Sequence, residues 1–145
     1  MMYLLDTCVV CERMKAIPDK NVLDWFASVD EESLFLSAVT IGEIRKGIAL
    51  LGETRRAAEL SGLLDALEAQ YSHRILAYNT SVAETWGESV AKAELSGRQR
   101  PVLDSLIAAT AKTDNMTLVT RNISDMEYMG VALLNPWEPK TERPS

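Results

Sequence analysis

Four acidic residues stand at places in the chain where α/β proteins do chemistry: Asp6, Glu43, Asp104 and Asp125. Asp6 ends the apolar run Met2-Tyr3-Leu4-Leu5 and is followed by the hydroxyl of Thr7. Glu43 comes shortly after a second apolar run, Leu34-Phe35-Leu36, and Asp104 falls just inside a helical stretch that opens at Pro101. Asp125 closes the segment Thr120-Arg121-Asn122-Ile123-Ser124-Asp125, after a further apolar run. Each acid also has a plain structural role open to it. Asp6 suits a helix N-cap, Glu43 completes a capping box with Thr40, Asp104 complements a helix dipole, and Asp125 can cap a turn. Taken together they carry a second reading. Carboxylates that share a cleft repel one another and raise one another's pKa, so a site that keeps four of them needs a cation. An oxygen-only donor set suits Mg²⁺ or Mn²⁺. Such an ion activates water and neutralises charge on a phosphodiester.

Other chemistries have little material. A single histidine, His73, argues against His-based nuclease or protease machinery and against a His-rich zinc site. Cys8-Val9-Val10-Cys11 has the spacing of a thiol oxidoreductase and would sit at a helix start, where a thiol pKa can fall. That alternative leaves the acids unexplained. A phosphatase built on an Asp nucleophile needs a second Asp two residues on, and Cys8 occupies that position. A net charge of −6 argues against a protein that grips nucleic acid through one basic face. Charge-neutralising ions at the four acids would reverse the field of the cleft itself. Arg13, Lys15, Arg45, Lys46 and Arg121 lie close in sequence to the acids and are candidates for contacts to flanking phosphates.

The elements that must position these residues alternate between strand and helix. Apolar runs at 2–5, 34–36, 74–78, 117–120 and 131–134 read as short buried strands. Between them, helices are expected over 9–15, over 21–29 with Asn21 as N-cap, from Ser37 or Thr40 through Ile48, over 54–71, from Thr80 or Ser81 through Val90, and over 102–112. The longest carries Leu60, Leu63, Leu64, Leu67 and Tyr71 on one stripe. Thr80 or Ser81 is expected to cap the fifth. This alternation predicts a three-layer α/β domain with a mainly parallel sheet, and parallel strands deliver all their following loops to one edge. With 145 residues, 47% of them hydrophobic, the chain makes one domain over 1–137. The Pro- and charge-rich stretch 138–145 reads as a flexible tail. No stretch is apolar enough to span a bilayer, and the start lacks the pattern of a signal peptide, so a cytoplasmic protein with reduced thiols is expected.

Four stretches carry a resemblance. Leu4-Leu5-Asp6-Thr7, the segment Ser37 to Gly47, the segment Val102 to Ala111, and Val119-Thr120-Arg121-Asn122-Ile123-Ser124-Asp125 together resemble PIN-domain ribonucleases. The likeness is to the VapC toxins of toxin–antitoxin pairs, in their FitB-like branch, and Trp86-Gly87 and Asn135-Pro136-Trp137 fit that branch. It implies an α/β/α PIN-like fold and a Mg²⁺- or Mn²⁺-dependent endoribonuclease in which Asp6, Glu43, Asp104 and Asp125 bind the metal. Cleavage by in-line attack of metal-activated water is implied, with Thr7, Thr120, Arg121 and Asn122 supporting the acids or contacting RNA. A homodimer and a VapB- or FitA-like antitoxin, whose tail enters the cleft, are the implied partners. A non-catalytic PIN-like binding module is the alternative from another class, and an intact acid set speaks against it. The chain departs from the branch at Cys8, where Asn is usual, at Cys11, where Ser is common, and at Tyr78-Asn79 in place of a Phe-Asp pair. Its basic turn Gly97-Arg98-Gln99-Arg100-Pro101 is longer than the usual Gly-Arg-Pro.

Overall fold

A computed structural model describes residues 1–98 and 101–139. The chain runs β1 (Tyr3–Leu5), α1 (Thr7–Arg13), α2 (Lys20–Ser28), β2 (Leu34–Ser37), α3 (Ala38–Leu50), α4 (Arg55–Gln70), β3 (Ile75–Leu76), α5 (Thr80–Leu95), α6 (Val102–Thr113), β4 (Thr117–Val119), α7 (Ile123–Met126) and β5 (Leu133–Leu134). The five strands form one parallel sheet in the order β3-β2-β1-β4-β5. Tyr3 is in register with Leu34 on one side and Thr117 on the other, and Leu118 with Leu133. The chain winds outward from β1 through β2 to β3, then returns to build β4 and β5 on the opposite side. The switch of direction falls between β1 and β4, the place beyond whose strand ends open α/β sheets form their crevice.

Side chains alternate across the short strands, so one sheet supplies two cores. Leu5, Leu34, Leu36 and Val119 pack on Val9, Val22, Trp25, Phe26, Ile44 and Leu64 from α1–α4. Leu4 and Leu118 pack on the other face against Val82, Ile107, Ala108, Ala111 and Met129, from α5, α6 and the turn after α7. The expected three layers are therefore present, with a wholly parallel sheet at their centre.

Capping chemistry sets several boundaries differently from the periodicity. Asp19, not Asn21, caps α2, its carboxylate accepting the amides of Asn21 and Val22. Asn79 caps α5 in place of Thr80 or Ser81, taking the Val82 amide on Oδ1. Pro101 stands at the N-cap position of α6, one residue before the position that proline favours. The stripe on α4 is only half used: Leu64 is fully buried while Leu63 stays 45% exposed. Leu50 and Leu51, at the end of α3, are exposed as well. The basic turn at 97–101 includes Gln99 and Arg100, and the expected tail includes 140–145, which lie outside the described residues. No described helix is long and apolar enough to cross a membrane. Thr54 caps α4 through a bond from the Ala57 amide at 3.1 Å. Thr54→Ala should cost about 1 kcal/mol in urea unfolding with an unchanged m-value.

Candidate active site

The site is assembled at the C-terminal edge of the sheet, around the β1–β4 crevice. Asp6 follows β1 directly and caps α1, with its Oδ1 accepting the Thr7 amide at 2.8 Å. The capping role and a role in the cleft are thus compatible, because the cap holds the carboxylate in place. Its Oδ2 accepts the Thr120 hydroxyl at 2.7 Å, from the residue that follows β4, and the Cys8 thiol at 3.5 Å. Asp6 is only 2% exposed, and these donors stand in for the solvent it has lost.

Glu43 lies on α3, whose N-cap is Ser37 through the Val39 amide. Thr40 is consequently inside the helix and the expected capping box does not form. Glu43 instead accepts the Thr7 hydroxyl at 2.8 Å. Thr40, fully buried, lies 3.1 Å from the same Thr7 oxygen. A hydroxyl has one proton to give, and Thr7 gives its proton to Glu43, so Thr40 donates to Thr7. This relay joins α1 and α3. Sequence reasoning missed Thr40 because its spacing from Glu43 matches a capping box; what it does instead depends on where Ser37 starts the helix.

Asp104 sits in the first turn of α6 and Asp125 within α7. The fold brings Asp6, Glu43 and Asp125 close enough for Asp104 to feel the charge of each. Burial, followed by the charges of Asp6, Glu43 and Asp125, pushes the Asp104 carboxyl up to about 6. Asn122 donates its backbone amide to the Thr120 hydroxyl oxygen at 3.1 Å, which fixes the loop after β4 over Asp6. An apolar groove of about 350 Å³ leads away from Glu43 and Thr7 along Cys11, Ile44, Ile48 and Leu60.

The donor chemistry fits a hard divalent cation: four carboxylates, one of them holding its proton far above the usual carboxylate range. Among the described residues, however, no group of three or more His, Cys, Asp or Glu side chains is gathered into a ready-made ion site. Asp6 and Glu43 turn oxygens toward hydroxyl and amide donors instead. The two observations agree for an ion such as Mg²⁺, which keeps several of its waters and does not need a preformed all-protein cage.

The cysteines and most of the basic residues take other roles. Burial, then the charge of Asp6, pushes the Cys8 thiol up to about 11. Burial and the charges of Glu43 and Asp6 raise Cys11 too. A redox-active pair needs lowered thiol pKa values, so the oxidoreductase alternative has no support here. Arg45 is turned onto α4, bonding Ser61 at 2.8 Å and Asp65 at 3.0 Å. Lys15 pairs with buried Glu12 at 2.9 Å, and Arg13 stacks on Phe26 at 4.2 Å. Arg121 lies over the ring of Trp137 at 5.0 Å.

Comparison with known proteins agrees with this architecture. The family model described as "PIN domain" matches residues 3–126. The plasmid stability protein StbB of Pseudomonas syringae pv. tomato is 34% identical over 138 residues, covering 94% of this chain and 99% of that protein. The VapC ribonuclease Y4jK of Sinorhizobium fredii is 34% identical over 139 residues, covering 95% and 99%. Toxin FitB of Neisseria gonorrhoeae is 34% identical over 137 residues, covering 94% and 99%. A solved structure of FitAB bound to the IR36 DNA fragment superposes with a TM-score of 0.88 at 33% identity, covering 96% of this chain and 98% of the matched one. With a family model spanning most of its length and relatives of matching extent, the chain belongs to the PIN-domain family, in the branch of the VapC and FitB proteins.

Proposed function

We propose that this chain is a Mg²⁺- or Mn²⁺-dependent endoribonuclease, the toxin of a toxin–antitoxin pair, in which Asp6, Glu43, Asp104 and Asp125 hold the metal. The observation that supports this is the raised pKa of Asp104, pushed up first by burial and then by the charges of Asp6, Glu43 and Asp125. The substrate class and the biological role are supported by the names of its relatives, a VapC ribonuclease and a toxin FitB. A bound divalent ion supplies water activation and charge neutralisation on a phosphodiester. The chain's own residues prepare for it. Thr120 and the Thr7 amide orient the two oxygens of Asp6, while the Thr40–Thr7 relay orients Glu43. These hydroxyls lock the carboxylates in place before substrate arrives, the kind of pre-organisation on which electrostatic catalysis depends. Asn122 and Arg121, on the loop that follows Thr120, are the candidates for contacting RNA. A cytoplasmic homodimer restrained by a VapB- or FitA-like antitoxin completes the proposal.

The test is cleavage of a labelled single-stranded RNA by the purified chain. Activity should appear with Mn²⁺ or Mg²⁺, vanish with EDTA and return when metal is restored. Metal-independent cleavage would overturn the metal assignment, and no cleavage of any RNA under these conditions would favour the non-catalytic binding module. Cys8 gives a narrower prediction. Its thiol is a weak donor to Asp6, next to the stronger bond from Thr120. Cys8→Ser and Cys11→Ser should therefore keep metal-dependent cleavage within roughly tenfold, at most about 1.4 kcal/mol in the barrier. Cys8→Asn should be at least as active as wild type. A larger loss in Cys8→Ser would mean that sulfur itself takes part in the chemistry.

A further inference from the structure

We infer that Arg121, stacked on the ring of Trp137, is a phosphate-binding cation at the rim of the cleft, with Trp137 and Asn21 as the positioning residues that aim it. The inference rests on the ribonuclease reading for the identity of its ligand, an RNA phosphate next to the scissile one. Its geometry comes from the fold. Because β4 and β5 are parallel neighbours, the segments that follow them emerge side by side at the same edge of the sheet. Arg121 directly follows Thr120, whose hydroxyl bonds Asp6. Trp137 arrives from the far side of β5. Its amide is tied to Asn135 Oδ1 at 2.9 Å in an Asx-type turn. Its carbonyl accepts the Asn21 side-chain amide at 2.9 Å, from the first turn of α2, and its ring packs against the core beneath. The backbone of Trp137 is thus tied at its amide and its carbonyl, and the core-packed ring offers one face to the Arg121 guanidinium, 5.0 Å from the ring.

Arg121 is held as Arg13 is, on an aromatic face, and unlike Lys15 and Arg45; of these two stacked arginines only Arg121 directly follows a residue bonded to Asp6. Lys15 is paired with Glu12 and Arg45 with Asp65, so each already faces a carboxylate partner. Among the described residues Arg121 has no carboxylate within 4 Å, although Glu12 is close enough to feel its charge. An aromatic face orients a guanidinium without neutralising it and leaves its edge N–H groups free. A planar fork held this way matches the oxygens of a phosphodiester. An acidic cleft that must admit a polyanion needs such a cation at its rim.

The test measures binding and cleavage of a labelled single-stranded RNA by the full chain in Mg²⁺, across a range of KCl. Arg121→Gln should flatten the dependence of log affinity on log salt by about 0.7, the value for one phosphate contact on a single strand. It should raise KM about tenfold and leave kcat within about twofold. Trp137→Ala should reproduce both changes, the double variant should add nothing to either, and Trp137→Phe, which keeps a ring, should restore most of the wild-type slope. Asn21→Ala provides a milder version should Trp137→Ala fail to fold, as judged by thermal melting. An unchanged salt slope in Arg121→Gln overturns the inference, as does a Trp137→Ala effect confined to kcat or to stability. Wild type that binds RNA but does not cleave it, with the Arg121 effect on slope present, removes the proposed activity alone. Wild type that binds no RNA overturns both.

Discussion

Asp104→Asn should lower RNA cleavage by at least 10²–10³-fold while leaving the chain folded. Removing one preorganised electrostatic group from a transition state typically costs about that much, and losing hold of an ion costs more. Asp104 is the right residue for this test because its structural role is small. It is half-buried in the first turn of α6, a helix that has no side-chain cap bond and whose stability comes from Ile107, Ala108 and Ala111 packed against the sheet. Its loss therefore separates chemistry from folding better than loss of Asp6, whose carboxylate also caps α1. Glu43→Gln should be nearly as damaging to cleavage. The amide oxygen can still accept the Thr7 proton, so the α1–α3 link survives while the charge does not. Cleavage at the wild-type rate by purified Asp104→Asn would show that the acids are not the catalytic centre. A Glu43→Gln variant that is only less stable would reduce Glu43 to a structural tie. The readouts are initial cleavage rate in Mn²⁺ and far-UV circular dichroism on the same preparation.

The sequence made the fold legible where strands are buried on both faces. Leu4-Leu5 and Leu118-Val119 feed opposite cores, and such runs cannot be mistaken for half-exposed strands. It was less clear where side-chain capping competes with periodicity. Asn21 looks like an N-cap by type, yet Asp19 stands two residues earlier with a carboxylate that reaches two amides, and Asn21 is released to hold Trp137. Neither partner choice can be read from α2 alone, since one of them comes from beyond β5. The acids were legible because parallel topology sends strand ends to a common edge. Their supporting hydroxyls were only partly so. Thr7 and Thr120 flank strand ends and announce themselves, whereas the partnership of Thr40 with Thr7 links residues 33 positions apart and depends on how α1 and α3 meet. Arg45 was hard to place for a related reason: it neighbours Glu43 in sequence, but a helix sends adjacent residues to different faces, and Arg45 faces α4.

Metal should stabilise the native chain, and Asp104 should report it through pH. With Mn²⁺ at about 100 times its dissociation constant, wild type should gain roughly 2.7 kcal/mol over the metal-free protein, because the unfolded chain offers no comparable set of carboxylates. Without metal the same acids work against the fold. Asp104 holds its proton up to about pH 6 when folded, against 3.8 for an unperturbed group. Between those values the folded chain binds more protons than the unfolded one, so this residue's contribution to stability falls as pH rises through the window. The loss is complete about one pH unit above that folded pKa. For a half-exposed group it should be on the order of 1 kcal/mol once solvent screening is allowed for. Asp104→Asn removes the charge and should therefore be more stable than wild type in EDTA at pH 7, with the advantage shrinking toward zero near pH 4. Adding Mn²⁺ at pH 7 should reverse the order, because wild type gains the binding energy and the variant loses most of it. Urea unfolding of both chains at pH 4, 5, 6 and 7, with EDTA and with Mn²⁺, measures every arm on one scale. A variant less stable than wild type in EDTA at pH 7 would mean that the Asp104 carboxylate is satisfied by the protein rather than repelled by its neighbours. An equal Mn²⁺ gain in both chains would place the ion away from Asp104.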